Sequence, residues 1–197
     1  GAVVATNQVS ALKVVNAALN AGTIDGFFDG TQFVDDVPFA AATAYSFQTV
    51  GAHTLSFEAT STAGAAIASL QQTLESTSDI SVLVVGFPGA VQAIAFADDN
   101  LVPLAGACRV RFVNASSDNA AYDVYVGDTK QVSALAARTA SDYVTLVPAT
   151  YTFTFRDPAS GATVLTVADQ AIGEGRVATF YAAGAVGQLS SIASTDR

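Results

Sequence analysis

The sequence predicts an all-β protein made of two tandem antiparallel β-sandwich domains. Three observations support this prediction: the two halves of the chain resemble each other at a constant spacing, short runs alternate between apolar and polar residues, and turn-forming residues separate those runs. The chain has 197 residues, which is enough for two domains of about 100 residues, near the commonest domain size.

The internal repeat has a spacing of 98 residues, the distance from Asn16 to Asn114. Val15-Asn16-Ala17 recurs as Val113-Asn114-Ala115. At the same spacing Asp25 aligns with Asp123, Tyr45 with Tyr143, Phe57 with Phe155 and, after a small slip near Gly64 and Gly161, Gly86 with Gly184. Because scattered identities at one spacing are hard to obtain by chance, we predict a duplicated domain. Residues 1–99 form the first copy and residues 100–197 the second.

Strands are clearest in the second copy. Residues 151–155 alternate between aromatic residues and threonines, which places the rings on one face of a strand. Further strands are predicted at residues 108–114, 122–126, 142–147, 163–167, 177–182 and 188–192. Residues 132–138 are the only helical candidate, and they are better interpreted as a loop. Seven short strands separated by turns predict a sandwich.

The longest apolar stretch, residues 80–97, has the length of a membrane-spanning helix. The sequence Gly86-Phe87-Pro88-Gly89 interrupts it and is typical of a turn. We therefore predict two buried strands, 80–85 and 90–97, and no membrane span.

The composition and net charge of the chain exclude some classes of protein and argue against others. Charged residues make up only 13% of the chain, hydrophobic residues make up 51%, and the net charge is −9. This hydrophobicity excludes a disordered chain, and the negative charge argues against nucleic acid as a partner. The chain contains no methionine and begins Gly1-Ala2-Val3, so we expect a start left by a removed signal peptide. With a single cysteine, the chain fits a secreted or cell-surface protein of a bacterium.

No residue pattern indicates catalysis, and we predict no catalytic residue, no cofactor and no metal. His53, the only histidine, lacks a nucleophile motif and is interpreted as a packed or solvated strand residue. Cys108 shares a face with Val110 and Phe112 and is predicted to be buried. Asp25 and Asp123 are interpreted as caps of backbone N–H groups in the preceding loop. Asp35, Asp36, Asp98, Asp99, Asp118 and Asp128 offer oxygens for Ca²⁺, but they lack an EF-hand spacing, so solvated loops are favoured.

Three runs carry a family resemblance: residues 109–118 (RVRFVNASSD), 122–126 (YDVYV) and 146–155 (LVPATYTFTF). Together they resemble the DUF4397 domain, along nearly all of the second copy and, in a more diverged form, in the first. The resemblance implies an immunoglobulin-like sandwich in a bacterial secreted or cell-surface protein, and it implies no established activity.

We therefore expect a non-enzymatic structural protein of the cell exterior that self-assembles, with copies of itself as partners. The segment Gly1, Ala2, Val3, Val4, Ala5 and Thr6 is apolar and uncharged, as a strand added to a neighbour's open edge requires. The alternative is an adhesion module that binds glycan or cell-wall material. The absence of tryptophan weighs against this alternative without excluding it.

Overall fold

The computed structural model describes residues 8–196, which form eighteen β-strands and one short 3₁₀ turn, Thr60–Thr62. The strands of the first sandwich are β1 (Val9–Ala18), β2 (Ile24–Phe28), β3 (Thr31–Val37), β4 (Ala41–Ala42), β5 (Ser46–Thr49), β6 (Gly51–Ala59), β7 (Ala66–Leu74), β8 (Asp79–Gly86) and β9 (Gln92–Asp98). Those of the second are β10 (Cys108–Ser116), β11 (Tyr122–Val126), β12 (Thr129–Leu135), β13 (Thr139–Ala140), β14 (Val144–Leu146), β15 (Ala149–Arg156), β16 (Thr163–Ile172), β17 (Val177–Ala185) and β18 (Gln188–Thr195).

Each sandwich contains an inner and an outer sheet. The first inner sheet has the strand order β4-β1-β8-β9, with β5 also paired to β1, and the first outer sheet has the order β3-β2-β6-β7. The second sandwich repeats both orders, as β13-β10-β17-β18 with β14 on β10, and as β12-β11-β15-β16. The predicted fold class of two all-β sandwiches is confirmed. One pair in each inner sheet, β1 with β8 and β10 with β17, is parallel, while the other pairs are antiparallel.

The inner sheets are buried on both faces because they pack against each other as well as against their own outer sheets. In β1, Leu12 and Val14 enter the core of the first sandwich, whereas Val15 and Ala17 enter an apolar cluster shared with the second. This split follows from the two-residue side-chain period of a strand. The four sheets therefore stack in the order outer, inner, inner, outer.

The predicted strands of the second copy are all present, and most extend a few residues further than predicted. Residues 80–97 form β8 and β9, with a turn between them as expected. The prediction of a loop at residues 132–138 is wrong in its first half, because β12 runs to Leu135. This strand lies at a sheet edge, is largely exposed and carries register shifts against β11, so it has no clear apolar alternation.

No helix among residues 8–196 is both long enough and apolar enough to span a bilayer. The last strand of the first sandwich ends at Asp98 and the first strand of the second begins at Cys108. In the linker between them, Leu101, Val102 and Leu104 are exposed and Pro103 is buried. The domain limits 1–99 and 100–197 stay a prediction.

Candidate functional site

A buried asparagine stands at the same place in each sandwich. Asn16 in β1 donates its amide hydrogens to the carbonyl oxygens of Gly22 and Val37, at 3.0 and 2.9 Å, and accepts the N–H of Ala18. Asn114 repeats these bonds in β10. Its partners are Ala120 O, Leu135 O and Ser116 N, each 98 residues further along the chain. Since these backbone groups would otherwise be buried without partners, the two asparagines organise the loops that follow β1 and β10.

Asp25 and Asp123 also occupy equivalent positions, at the second residues of β2 and β11. Asp25 accepts the N–H of Asp36 at 2.8 Å, and Asp123 accepts that of Ala134 at the same distance. Each aspartate caps a backbone N–H group, but the prediction that this group lies in the preceding loop is wrong, because it lies in the next strand. Asp36 and Ala134 adopt positive φ angles, 51° and 47°, where the strand bulges toward the carboxylate.

The inner sheets enclose a shared apolar cluster. Its buried members come from both sandwiches: Val15, Ala17, Leu83, Val85, Val113, Ala115, Tyr181, Ala183 and Ile192. Burial of these side chains away from water stabilises the contact between the sheets, because each fully buried valine, leucine or isoleucine contributes about 1.5–3 kcal/mol. The shared cluster therefore holds the two sandwiches in one arrangement.

Two buried ion pairs border the shared cluster, and each one crosses between the sandwiches. Lys13 of β1 contacts Asp196, which follows β18, and Arg111 of β10 contacts Asp98 at the end of β9. All four side chains are at most 3% exposed. Lys13 and Arg111 are 98 residues apart, and so are Asp98 and Asp196. Each sandwich thus supplies the cation for the other sandwich's aspartate.

Hydroxyl groups also donate hydrogen bonds to both aspartates. Asp98 accepts hydrogen bonds from Tyr45 and Ser81, each at 2.6 Å. Asp196 accepts them from Thr179 at 2.5 Å and from Ser194 at 3.0 Å. Ser81 and Thr179 are again repeat equivalents. A buried ion pair repays its desolvation only when additional hydrogen bonds satisfy its remaining atoms, and this network meets that condition.

Aromatic rings cover the two cations. Lys13 Nζ lies 4.7 Å from the ring centre of Tyr45, and the Arg111 guanidinium lies 4.9 Å from that of the equivalent Tyr143. Burial raises the pKa of Tyr143 to about 12, and burial together with Asp98 raises the pKa of Tyr45 further. Burial alone would lower the pKa of Arg111, but Asp98 more than offsets this, and the net direction is upward. Both tyrosines are therefore neutral and Arg111 is charged near neutral pH, and the network serves to join domains.

The single histidine and cysteine both have structural surroundings. His53 Nδ1 lies 2.7 Å from Asp29 Oδ2, and its ring packs at a tilt against that of Phe28, with centroids 4.3 Å apart. Cys108 is fully buried in the core with Val110 and Phe112, as predicted, and burial raises the pKa of its thiol. These contacts agree with the interpretation of both residues as packed strand residues.

The six aspartates considered as Ca²⁺ ligands do not form one cluster. Asp98 belongs to the ionic network, Asp99 pairs with Arg109 at 2.6 Å, and Asp118 accepts the N–H groups of Ala120 and Val186. Asp128 lies in the β11–β12 turn. Asp35 and Asp36 instead converge on Asp25, so that the carboxylate oxygens of all three lie within 4.8 Å of one another. The segment Gly1 to Thr6 lies outside the described residues.

Sequence reasoning did not find the ionic network. A signal was present, since charged Lys13 and Arg111 occupy equivalent positions in two largely apolar strands, and Asp98 and Asp196 share the same spacing. The spacing does not reveal that the pairs cross between domains, because that depends on how the two inner sheets face each other.

Comparison with protein families gives one match. The profile described as "Domain of unknown function (DUF4397)" matches residues 10–121 and again residues 109–197. A comparison with curated proteins finds no significant match. The two family matches together cover most of the chain, and they agree with the duplicated sandwich. The chain therefore belongs to the DUF4397 family, of which it carries two copies in tandem.

Proposed function

We propose that this protein is a non-enzymatic structural protein of the bacterial cell exterior, and that its copies join through strand edges into a fibre. The two sandwiches are connected by a buried apolar cluster and two buried ion pairs, so that one chain behaves as a single stiff unit. A stiff unit transmits force and orientation along an assembly, as a fibre subunit requires.

The observation that carries the proposal is the unguarded edge strand β7. Its nine residues, AIASLQQTL, contain no charge and no proline, and within the described residues β7 pairs only with β6. Proteins normally protect such edges with lysine, proline or a bulge, because unpaired N–H and C=O groups recruit further strands. An open and uncharged edge of this length offers a docking place for a strand from another chain.

The equivalent edge strand of the second sandwich is guarded. Strand β16 contains Asp169 at φ 55°, beside a shift of register against β15. A charge combined with a bulge disrupts the regular row of hydrogen-bonding groups that an incoming strand needs. The outer sheets of the two sandwiches thus differ in their capacity to accept a strand, which favours directional joining over random aggregation.

The proposed donor is the segment Gly1 to Thr6, whose uncharged, partly β-branched residues suit strand addition. Val9 and Phe47, close to where the described chain begins, are exposed, and Phe47 is 75% exposed. Exposed apolar side chains at this position add surface for a neighbouring subunit to cover.

Two variants test the donor and the acceptor separately. Deletion of residues 1–6 removes the donor, and Gln71→Lys with Thr73→Lys places two ammonium groups on the exposed face of β7. We expect the unaltered chain to form fibres by electron microscopy, and each variant to remain monomeric by light scattering. A mixture of the two variants should form dimers and no longer species, because it contains one functional donor and one functional acceptor per pair.

The matched control is Ala168→Lys with Ala171→Lys on β16, which adds the same charge to the guarded edge and should leave the fibres unchanged. Full-length protein that stays monomeric at high concentration would refute the proposal. In that event, binding of the monomer on a glycan array would favour the alternative of an adhesion module.

A further inference from the structure

We propose that the side chains of Lys13 and Asp196 condense into an amide bond inside the folded chain. The bond joins β1 of the first sandwich covalently to the residue that follows β18 of the second, and it links positions 183 apart in the sequence. The reaction uses only these two side chains as reactants and releases one water. It is independent of how copies of the chain join.

The two reacting groups are in contact and shielded from solvent. The ammonium of Lys13 contacts the carboxylate of Asp196, and the two side chains are 1% and 0% exposed. Reactants held in contact in this way behave as though present at an effective concentration of about 10⁵–10⁸ M. Because the site excludes water, hydrolysis of the amide is suppressed. Condensation also replaces two buried charges with a neutral amide, which costs less to keep away from water.

The first step is the transfer of a proton within the pair. Only the neutral amine of a lysine is a nucleophile. Transfer of one proton from the Lys13 ammonium to Oδ1 of Asp196 gives an amine and a carboxylic acid, and these two atoms are already in contact. Burial favours this neutral pair relative to its ionic form, because burial penalises charge.

Ser194 connects the attacking nitrogen with the oxygen that leaves. Its hydroxyl accepts a hydrogen bond from Lys13 Nζ at 2.6 Å and donates one to Asp196 Oδ1 at 3.0 Å. When Nζ forms its bond to Cγ of Asp196, the nitrogen must give up a proton. The hydroxyl of Ser194 relays this proton to Oδ1, which then departs as water.

Thr179 stabilises the other carboxylate oxygen. Its hydroxyl donates to Asp196 Oδ2 at 2.5 Å, and it accepts a hydrogen bond from Nε of Arg111 at 3.3 Å. As the C–N bond forms, the electron pair of the carbonyl bond moves onto Oδ2, where the Thr179 hydroxyl stabilises the negative charge. The C–Oδ1 bond then breaks, the carbonyl bond re-forms at Oδ2 and the amide keeps one N–H. No atom is oxidised or reduced.

The repeat-equivalent ion pair does not have the groups for this reaction. Its cation is Arg111, whose delocalised guanidinium stays charged and is not a nucleophile. Phe96 stands at the position of Ser194, so the hydroxyl relay is missing as well. The other lysine, Lys130, pairs with Asp123 but is 41% exposed, so water reaches it. We therefore expect one cross-link per chain.

Mass spectrometry of the denatured full-length chain tests the proposal. We expect a mass lower by one water than the sequence requires, and a proteolytic digest should contain two peptides joined through Lys13 and Asp196. Under denaturing conditions, a reagent specific for amines should modify Lys130 but not Lys13. Chains that have not reacted keep the ion pair, and their higher mass distinguishes them from cross-linked chains.

Lys13→Arg is the matched control, because the second copy has an arginine at this position, paired with Asp98. This variant should fold and retain the full mass. Ser194→Ala should slow cross-linking by about 10²–10⁴-fold, and Ser194→Thr should restore it. Thr179→Val should slow it by about 10²–10³-fold. The rate is the increase of the cross-linked fraction with time after cell-free synthesis, and circular dichroism verifies that each variant is folded.

A folded, unaltered chain that retains its full mass after long incubation would overturn the proposal. A loss of water that persists in Lys13→Arg would overturn it as well. Unchanged rates in Ser194→Ala and Thr179→Val would overturn the roles of the two hydroxyls. Cross-linked chains that stay monomeric would refute only the fibre proposal, since the mass is measured on single chains.

Discussion

The two sandwiches have the same topology but different cores. The second is filled by aromatic rings, with Phe112, Phe153 and Phe180 in mutual contact at centroid distances from 4.6 to 6.3 Å. At the equivalent positions the first sandwich has Val14, Leu55 and Val82, all fully buried. The lost volume is replaced in part by Phe33, which packs beside Gly26. A Cβ on Gly26 would lie 3.0 Å from the Phe33 ring, and the second copy has Val124 there.

Several polar residues and glycines, in contrast, are the same at equivalent positions of the two sandwiches. The hydrogen bonds of Asn16 recur at Asn114, and Gly86 and Gly184 share positive φ angles of 134° and 117°. A Cβ at either glycine would lie 2.5 Å or less from a backbone oxygen. A core tolerates exchange of apolar residues when total volume is retained, but a backbone N–H or C=O group has no such freedom. The two copies therefore share these polar and glycine positions, whereas their apolar core residues differ in identity.

The largest expected effect tests whether the two cores are equivalent in energy. Phe57 and Phe155 are repeat equivalents and both fully buried, so truncation to alanine should cost about 3–5 kcal/mol in each case. Phe155 also makes edge contacts with Phe112 and Tyr122, and Phe155→Ala should therefore cost about 0.5–1.5 kcal/mol more than Phe57→Ala. Denaturant titrations measure both values. A loss below about 1 kcal/mol at either position would contradict the shared strand phase.

The phase of these strands was predictable from sequence, whereas their long-range partners were not. A strand has a strict two-residue period, so the alternation in residues 151–155 correctly predicted that Phe155 is buried. Cys108 was correctly predicted to be buried because it lies on the same face of its strand as Val110 and Phe112. β12 was missed, since an exposed edge strand with a bulge has no such alternation. The meeting of Asp25 with Asp35 and Asp36 depends on that same kind of bulge, in β3. The Lys13–Asp196 pair joins residues 183 apart in different domains, and no local pattern encodes that approach.

The second prediction compares the two buried ion pairs with an ion pair whose aspartate is half-exposed. Lys13→Met leaves Asp196 buried without its cation, and Arg111→Met does the same to Asp98. Each should cost about 3–5 kcal/mol, as removal of one partner from a buried pair does. The control is Arg109→Met, which breaks the pair with half-exposed Asp99 and the contact of Arg109 with the Tyr143 ring, and should cost about 0.5–2 kcal/mol.

Double variants sharpen this comparison. Lys13→Met combined with Asp196→Leu removes both charges, and we expect it to recover much of the stability lost in Lys13→Met, because no uncompensated charge remains. The loss in Lys13→Met should also change little with added salt, since buried pairs are weakly screened. If Lys13→Met costs no more than Arg109→Met in denaturant titration, the ionic network does not hold the sandwiches together.

The smallest effect concerns a pair that only the first sandwich has. His53 and Asp29 are in contact there, whereas the second copy has Tyr151 and Gly127 at these positions, with the Tyr151 hydroxyl bonded to Val147 O. The hydrogen bond to Asp29 raises the pKa of His53, and the same bond lowers the pKa of Asp29. A histidine whose pKa is raised by folding contributes stability that is fully present below its unfolded pKa, about 6.5. This contribution is lost as the pH rises through the folded pKa.

Because His53 is the only histidine, its ring protons give one unambiguous NMR titration. Asp29→Gly introduces the residue of the second copy, and it suits the backbone because Asp29 and Gly127 both have positive φ, 48° and 57°. This variant should titrate at a lower pH than the unaltered chain, and its stability should change less between pH 6 and pH 8. Asp29 is half-exposed, so the change in stability is expected to be small and to shrink with added salt. An unchanged titration of His53 in Asp29→Gly would mean that the contact of the ring with Phe28, and not the carboxylate, determines its pKa.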